Sequence, residues 1–220
     1  MRKKTNVAAL RHRMVEEQIR GRGIRDPRIL QAIESIPRHL FVPYANPADA
    51  YRDGPLPIGL GQTISQPFIT AYMTQLLRPR PEHRILEIGT GSGYQAALLS
   101  LLCGQVYTIE IISNHHARAG KLLAELKYTN VHLRLGDGQV GWPDEAPFNG
   151  IIVTAAAQAS PPPDLSAQLA DGGRLVIPVG RSLYDQQLMF YTRKANQIIA
   201  REDIAVRFVP ILSGKPGRAA

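Results

Sequence analysis

The sequence predicts an α/β fold: a doubly wound, mostly parallel sheet with a helical extension before it and antiparallel strands after it. Three observations predict this. Short apolar runs rich in Ile, Val and Leu alternate with helical stretches between residues 84 and 179, the pattern of a parallel sheet built from βαβ units. A glycine-rich turn stands between the first of these runs and the helix after it. Beyond residue 187 apolar runs follow one another without a long helix, as in an antiparallel appendage. The 220 residues suit one domain spanning 1–220, with helices and an irregular loop in 1–80, the alternating core in 81–180 and the terminal strands in 181–220.

The elements follow in order. Residues 6–22 read as a helix through Val7, Leu10, Met14 and Ile19, closed by Gly21 and Gly23. Asp26-Pro27 is an N-cap followed by proline at the first helical position, and Ile29, Leu30, Ile33 and Ile36 give that helix its apolar face up to Pro37. From Pro43 to Pro67 the chain is rich in Pro and Gly yet too apolar for a solvated linker; a long irregular segment in a compact domain is usually functional. A helix is expected from Pro67 to Leu77, with Met73, Leu76 and Leu77 inward. Strands are expected at 84–88, 106–109, 131–135, 150–154 and 174–179, and helices from the glycine turn to about 102, at 116–126 and at 165–170. Then come strands at 187–192, 198–201 and 205–209, the first two joined by a turn at 194–196.

Composition excludes several classes. No apolar run approaches the roughly 18 residues of a membrane span, and the basic start Met1-Arg-Lys-Lys4 lacks the apolar stretch of a secretory signal. A cytoplasmic protein without a membrane partner is expected. The single cysteine, Cys103, lies in an apolar run and reads as a small buried hydrophobe. The six histidines show no metal-ligand spacing, so no metal is expected, and His115-His116 reads as the exposed start of a helix. The net charge of +8 is concentrated at the ends, in Arg2, Lys3, Lys4, Arg11, Arg13, Arg20, Arg22, Arg25 and Arg28, and in Lys215 and Arg218. No aromatic residues interleave with these charges, so we read a solvated helix face and expect no nucleic-acid partner.

The local signal with chemistry in it is Leu86-Glu-Ile-Gly-Thr-Gly-Ser-Gly-Tyr94. Gly89, Gly91 and Gly93 permit a tight turn and close approach of a ligand to the backbone at Thr90. A dinucleotide fingerprint wants Gly or Ala where Tyr94 stands, and a phosphate loop wants Gly-Lys-Ser/Thr. Glu87, facing the turn, would repel a pyrophosphate but suits a sulfonium and an ammonium group. Glu110, beside Ile111 and about 20 residues past the glycines, is placed to accept hydrogen bonds from ribose hydroxyls. Asp137, beside Gly138, is placed to accept from an adenine amino group. All three acids fall at the carboxyl ends of strands, where open α/β sheets bind ligands. Together they predict S-adenosyl-L-methionine as cofactor, with S-adenosyl-L-homocysteine as product, on a Rossmann-like sheet of the class I methyltransferase kind.

The irregular segment narrows the reading. Pro55-Leu-Pro-Ile-Gly-Leu-Gly-Gln-Thr-Ile-Ser-Gln-Pro67 closely resembles the signature loop of protein-L-isoaspartate O-methyltransferases. So do Leu86–Tyr94, Gly136–Trp142, Ile151–Ala156, Gly172–Gly180 and Arg207–Pro210, in the family's order from about Met14 to Pro210. The resemblance implies methyl transfer to the free α-carboxylate of L-isoaspartyl residues in damaged proteins and peptides, whose ester then cyclises to a succinimide. It implies Ser65 as the active-site serine, with Gln62, Thr63, Ile64 and Thr70 beside substrate and cofactor, and Gln187 lining the cofactor site. No Gly-x-Ser-x-Gly elbow surrounds Ser65, so it is expected to orient the substrate rather than attack it. A monomer is expected.

The chain departs from the family pattern at Asn149, Ile112 and Lys127. Asn149 is expected to alter packing away from the cofactor, Ile112 the edge of the adenosine pocket, and Lys127 stands where glycine is common. Two other readings compete: a methyltransferase for RNA or a small molecule, and a non-catalytic cofactor-binding protein. The intact Ser65 loop and the three acids argue against the last.

Overall fold

The computed structural model describes residues 6–195, 197–215 and 217. Of the basic ends, Arg2, Lys3, Lys4 and Arg218 lie outside the described residues, as does Asn196 in the expected turn.

The expected first helix is one helical run whose hydrogen bonding changes along it. α1 (Val7–Arg13) passes into a π-helical turn, Met14–Ile19, then a 3-10 turn, Arg20–Arg22, ended by Gly23 at φ +95°. The wider π turn, bonding each residue to the fifth beyond it, brings Met14 and Ile19 to one buried face. α2 (Pro27–Ser35) starts as expected, the Asp26 carboxylate accepting the Arg28 N–H at 2.9 Å. It stops at Ile36, which is extended because Pro37 follows.

The segment 43–67 is not wholly irregular. It contains a small antiparallel hairpin, β1 (Leu56–Gly59) and β2 (Gln62–Ile64), turning through Leu60 and Gly61. Both turn residues have positive φ, 51° and 70°, as a two-residue type I′ turn requires. Leu-Gly carries none of the Asn-Gly or Asp-Gly signal of such turns, which is why the sequence hides it. α3 (Pro67–Leu77) then starts and stops where expected, with Met73 and Leu77 buried and Leu76 only partly so.

The main sheet has seven strands among the described residues, in the order β5-β4-β3-β6-β7-β8-β9. β3 (Arg84–Ile88), β4 (Gln105–Glu110), β5 (Val131–Leu135), β6 (Phe148–Val153) and β7 (Leu169–Val179) run parallel. α4 (Tyr94–Ser100), α5 (Ser113–Glu125) and α6 (Pro163–Ala167) lie on the connections. Alternate residues feed two cores: Ile85, Ile152 and Val176 on one face, and Leu86, Ile151, Val153, Leu175 and Ile177 on the other. Both faces are covered, which is why these strands read as continuous apolar runs. β8 (Gln187–Lys194) and β9 (Gln197–Ala205) add the antiparallel edge.

The expected strands at 198–201 and 205–209 need correction. β9 is one strand ending at Ala205, and the residues after it turn inward over the sheet. Ala156 donates to the Val209 carbonyl at 2.8 Å, and Ile211 donates back to Ala156 at 2.9 Å. Backbone pairing across the end of β6 thus takes this segment out of the sheet's edge.

Other local expectations resolve as follows. Cys103 is buried, and burial pushes its thiol up to about 12. Asn149 lies in β6 and accepts the Arg84 N–H at 2.9 Å, at the end of β3 remote from the glycine turn. Lys127 has φ +62°, the left-handed conformation glycine adopts without strain. His115 is not exposed: it is 1% accessible, because α5 begins at Ser113 and turns this side chain under the hairpin.

Candidate active site

The carboxyl ends of β3, β4 and β6 form the floor of one cleft, and the β1–β2 hairpin, the start of α3 and residues 209–212 form its walls. The floor is shaped by the glycine turn. Gly89 and Thr90 both donate to the Ile109 carbonyl, at 2.9 and 3.3 Å, tying the turn to β4. Gly89 has φ +93°, and a Cβ there would sit 2.5 Å from Thr154 Oγ1, which donates to the Gly89 carbonyl at 2.7 Å. Gly91 also lines the cleft. Gly93 does not; it is the N-cap of α4, and a Cβ there would press on Ala119 and Leu123 of α5.

The acids differ in state. Glu110 accepts the Gly91 N–H at 2.7 Å and the Ile112 N–H at 2.8 Å, one on each oxygen. Each carboxylate oxygen has two acceptor positions, so Glu110 keeps capacity for a further donor. Glu87 is fully buried. Its Oε2 accepts from Thr108 Oγ1 at 2.5 Å, and Thr90 Oγ1 lies 2.7 Å from that hydroxyl. Its Oε1 has no partner. Burial, with the nearby Glu110 charge adding to it against the Thr108 hydrogen bond, pushes the Glu87 carboxyl up to about 8. A buried acceptor without a donor, on the floor of a cleft, is what a cationic ligand group would complete. Asp137 stands behind the wall: it accepts the Gln139 N–H at 2.9 Å and the Gly214 N–H at 2.8 Å, and its neighbour Gly138 reaches the cleft. A Cβ on Gly138 would collide with Ile88.

On the other side, Gln62, Thr63, Ile64, Ser65 and Thr70 all line the same cleft, and Ile111 joins them from β4's end. Ser65 and Thr63 also face an adjoining groove that runs past Leu183, Tyr184 and Arg207. Ser65 lies just before α3, whose first turn has no side-chain cap and carries Pro67. Its free N–H groups give that end a partial positive charge. Helix α5 holds the hairpin: Arg118 Nη1 donates to the Ile58 carbonyl at 3.0 Å, and Nη2 lies 3.2 Å from His115 Nδ1. Burial and the Arg118 charge push the His115 imidazole down.

Three expected cofactor contacts need correction because they do not line the cleft: Gly93 and Asp137, placed above, and Gln187. It is the first residue of β8, paired with Val179 and Ala205, and does not line the cleft. Its neighbour Gln186 faces the adjoining groove, with its amide held by the Phe208 backbone at 3.0 and 2.6 Å. Both residues stand at the β8 end of the adjoining groove rather than at the cofactor cleft. The sequence reading also missed Tyr94, Thr154 and residues 211–212 as lining. Ile112 lines the cleft edge as expected. Among the described residues no group of His, Cys, Asp or Glu is arranged to hold a metal.

The chain is similar in sequence and fold to known proteins. The family model for protein-L-isoaspartate(D-aspartate) O-methyltransferase matches residues 9–216. Protein-L-isoaspartate O-methyltransferase 2 of Shewanella sediminis (strain HAW-EB3) is 52% identical over 201 residues, covering 91% of this chain and 82% of its own. The Anaeromyxobacter dehalogenans (strain 2CP-C) protein-L-isoaspartate O-methyltransferase is 53% identical over 201 residues, covering 90% and 96%. A solved protein-L-isoaspartate O-methyltransferase superposes with a TM-score of 0.83 at 26% identity, over 94% of this chain and 67% of that one. A Plasmodium falciparum structure assigned as such an enzyme, in complex with S-adenosyl-L-homocysteine, shares the fold at 24% identity, covering 95% of this chain and 99% of its own, with a TM-score of 0.79.

Proposed function

The chain belongs to the protein-L-isoaspartate(D-aspartate) O-methyltransferase family, and from that premise we propose how its residues divide the work. It transfers a methyl group from S-adenosyl-L-methionine to the free α-carboxylate of L-isoaspartyl residues in damaged proteins and peptides. The observation that carries the assignment of roles is that Ser65 and the two floor acids, Glu87 and Glu110, line one cleft.

The residues fit the cofactor, which supplies an electrophilic methyl group on a cationic sulfur. Glu87 would hold its ammonium group, and Glu110 would accept from the ribose hydroxyls. Gly89, Thr90 and Gly91 would admit it to the backbone beside Ile111 and Gly138, with Asp137 steadying the Gly138 loop from behind. Gly93 serves through the packing of α4 on α5.

The substrate side needs no general base, because a carboxylate with a pKa near 4 is already ionised at pH 7. What the chain must do is align the reactants and keep water out. The Ser65 hydroxyl donates to the carboxylate, and the α3 N-terminus adds positive potential behind it. Gln62, Thr63, Ile64 and Thr70 close the cleft around it. The ester product is neutral, so the same groups hold it less well, which favours release. The flanking polypeptide lies in the groove beside Tyr184. The chain works as a monomer in the cytoplasm, as one unit in which 1–80 carries the substrate loop and 81–180 the cofactor; no described helix is long and apolar enough to cross a membrane.

The test uses methyl-labelled cofactor and two peptides differing only in aspartate against isoaspartate. Base-labile label is expected in the isoaspartyl peptide alone. Label in neither, with cofactor binding measured in parallel, would refute the substrate.

A further inference from the structure

Arg38 is an unusual residue. It lies in the 3-10 turn Arg38–Phe41 after α2 and is 0% accessible. Among the described residues it has no carboxylate partner. Its Nε donates to the Ala50 carbonyl and its Nη2 to the Ser65 carbonyl, both at 2.8 Å. Nη1 is buried without a partner. The guanidinium lies 4.8 Å from the centroid of the Tyr94 ring, which is itself fully buried and lines the cleft. A guanidinium remains charged in a protein, and burying one without a counter-ion costs several kcal/mol after relaxation. An apolar side chain would fill the space without that cost, so packing alone does not account for the charge.

We propose that Arg38 is a positioning residue for the substrate carboxylate, acting through Ser65; this rests on the reading of Ser65 given above. The Ser65 carbonyl is a partial negative charge on the residue that must receive an anion. Binding to Arg38 engages that oxygen, and because the peptide is planar and trans it directs the Gln66 N–H the opposite way. The same guanidinium places a permanent positive charge one residue behind the substrate loop, in surroundings where little water screens it. Tyr94 accepts that charge on its ring face and belongs to the helix that opens directly after the glycine turn. Arg38 therefore joins the Ser65 loop to the cofactor turn from behind, and its charge, with no carboxylate partner among the described residues, favours an anion at Ser65 without touching it.

The experiment compares wild type, Arg38→Met and Arg38→Lys by steady-state methylation of an isoaspartyl peptide and by S-adenosyl-L-homocysteine binding. Misplacing a reacting group by an ångström costs about 100-fold, so Arg38→Met is expected to lose about that in kcat/KM while homocysteine-cofactor affinity stays within about threefold. Arg38→Lys keeps the charge but loses the two-pronged fork, and about a tenfold loss is expected, the scale of one charged hydrogen bond. Wild-type kcat/KM in either folded variant overturns the proposal. So does a fall in cofactor affinity matching the fall in kcat/KM, which would mark a merely structural role. Should Arg38→Met fail to bind the cofactor for want of folding, Arg38→Lys decides by the same criteria. Absence of ester with the wild-type enzyme refutes the underlying reading of Ser65, whereas ester in wild type with no change in the variants refutes Arg38 alone.

Discussion

The two sides of the cleft are built by different means. The cofactor side is made by the sheet. Strand ends deliver Glu87 and Glu110, and glycines at 89 and 138 leave room that any Cβ would fill. The substrate side is hung on arginines. Arg38 holds Ala50 and Ser65 by their carbonyls, and Arg118 holds Ile58, across 12, 27 and 60 residues of sequence. The first side is a consequence of the fold, while the second is an attachment whose position depends on a few long-range hydrogen bonds. Changes on the first should damage folding and cofactor binding together. Changes on the second should damage catalysis and spare both.

The largest effect is expected from Gly89→Ala. The left-handed backbone and the collision with Thr154 together should cost about 3 kcal/mol. Urea unfolding and calorimetric titration with S-adenosyl-L-homocysteine should both register it; a stable variant of unchanged affinity would break the contrast. Ser65→Ala should lower kcat/KM for an isoaspartyl peptide roughly 10- to 100-fold, the worth of a hydrogen bond to a charged group. Cofactor affinity and melting temperature should hold, and a parallel loss of affinity would merge the two sides.

Glu87 gives the cofactor side a pH dependence. Its folded-state value of about 8 lies above the ordinary 4.5. Between those values the folded chain retains a proton that the unfolded chain has released. The contribution of Glu87 to stability is thus most favourable below pH 4.5, falls as pH rises to about 8, and is level above. Glu87→Gln, measured without cofactor, should gain in melting temperature relative to wild type across that window; a constant difference would contradict the burial argument. Arg118→Gln should do less, because Arg118 is only partly buried and water can replace its hydrogen bond to Ile58: about a fivefold loss in kcat/KM, with cofactor affinity unchanged. A larger loss in cofactor affinity than in kcat/KM would show that the hairpin serves the wrong side. Smallest, and remote from both sides, Lys127→Gly should stabilise by about 0.5–1 kcal/mol in chemical denaturation, relief of left-handed strain less the added freedom of the unfolded chain. Any change in kcat/KM there would show that the cleft feels distant strain.

The same division explains what was legible in the sequence. The parallel core was readable because each strand is a local apolar run; its helices, which have no side-chain caps, were placed less well, α5 starting at Ser113 rather than 116 and β7 taking residues 169 and 170 that were expected as helix. The glycine turn carries its chemistry in nine consecutive residues, so Glu87 and the glycines were found at once. The hairpin at 56–64 was not, since Leu60-Gly61 lacks the usual turn chemistry. The end of β9 at Ala205 follows from the pairing of Val209 and Ile211 with Ala156, about fifty residues away, and no local pattern reports it. Gln187 failed because its place is set by pairing with Val179 and Ala205, which keeps it off the cofactor cleft and which no local pattern reports. Arg38 gave no signal, because a lone arginine after proline reads as surface, and only its partners at Ala50 and Ser65 reveal its burial. His115 was misread likewise, its burial being set by the hairpin lying over it.

Burial of Cys103 has a further consequence. It is the sole cysteine of the chain, and with its thiol held near 12 almost no thiolate forms at neutral pH. Peroxide, alkylating agents and mixed disulfides all attack through the thiolate. Methionines Met14 and Met73 are enclosed as well. The chain's one thiol is thus kept out of thiolate chemistry by burial alone, and Met73, the sulfur that lines the cleft, is an enclosed thioether.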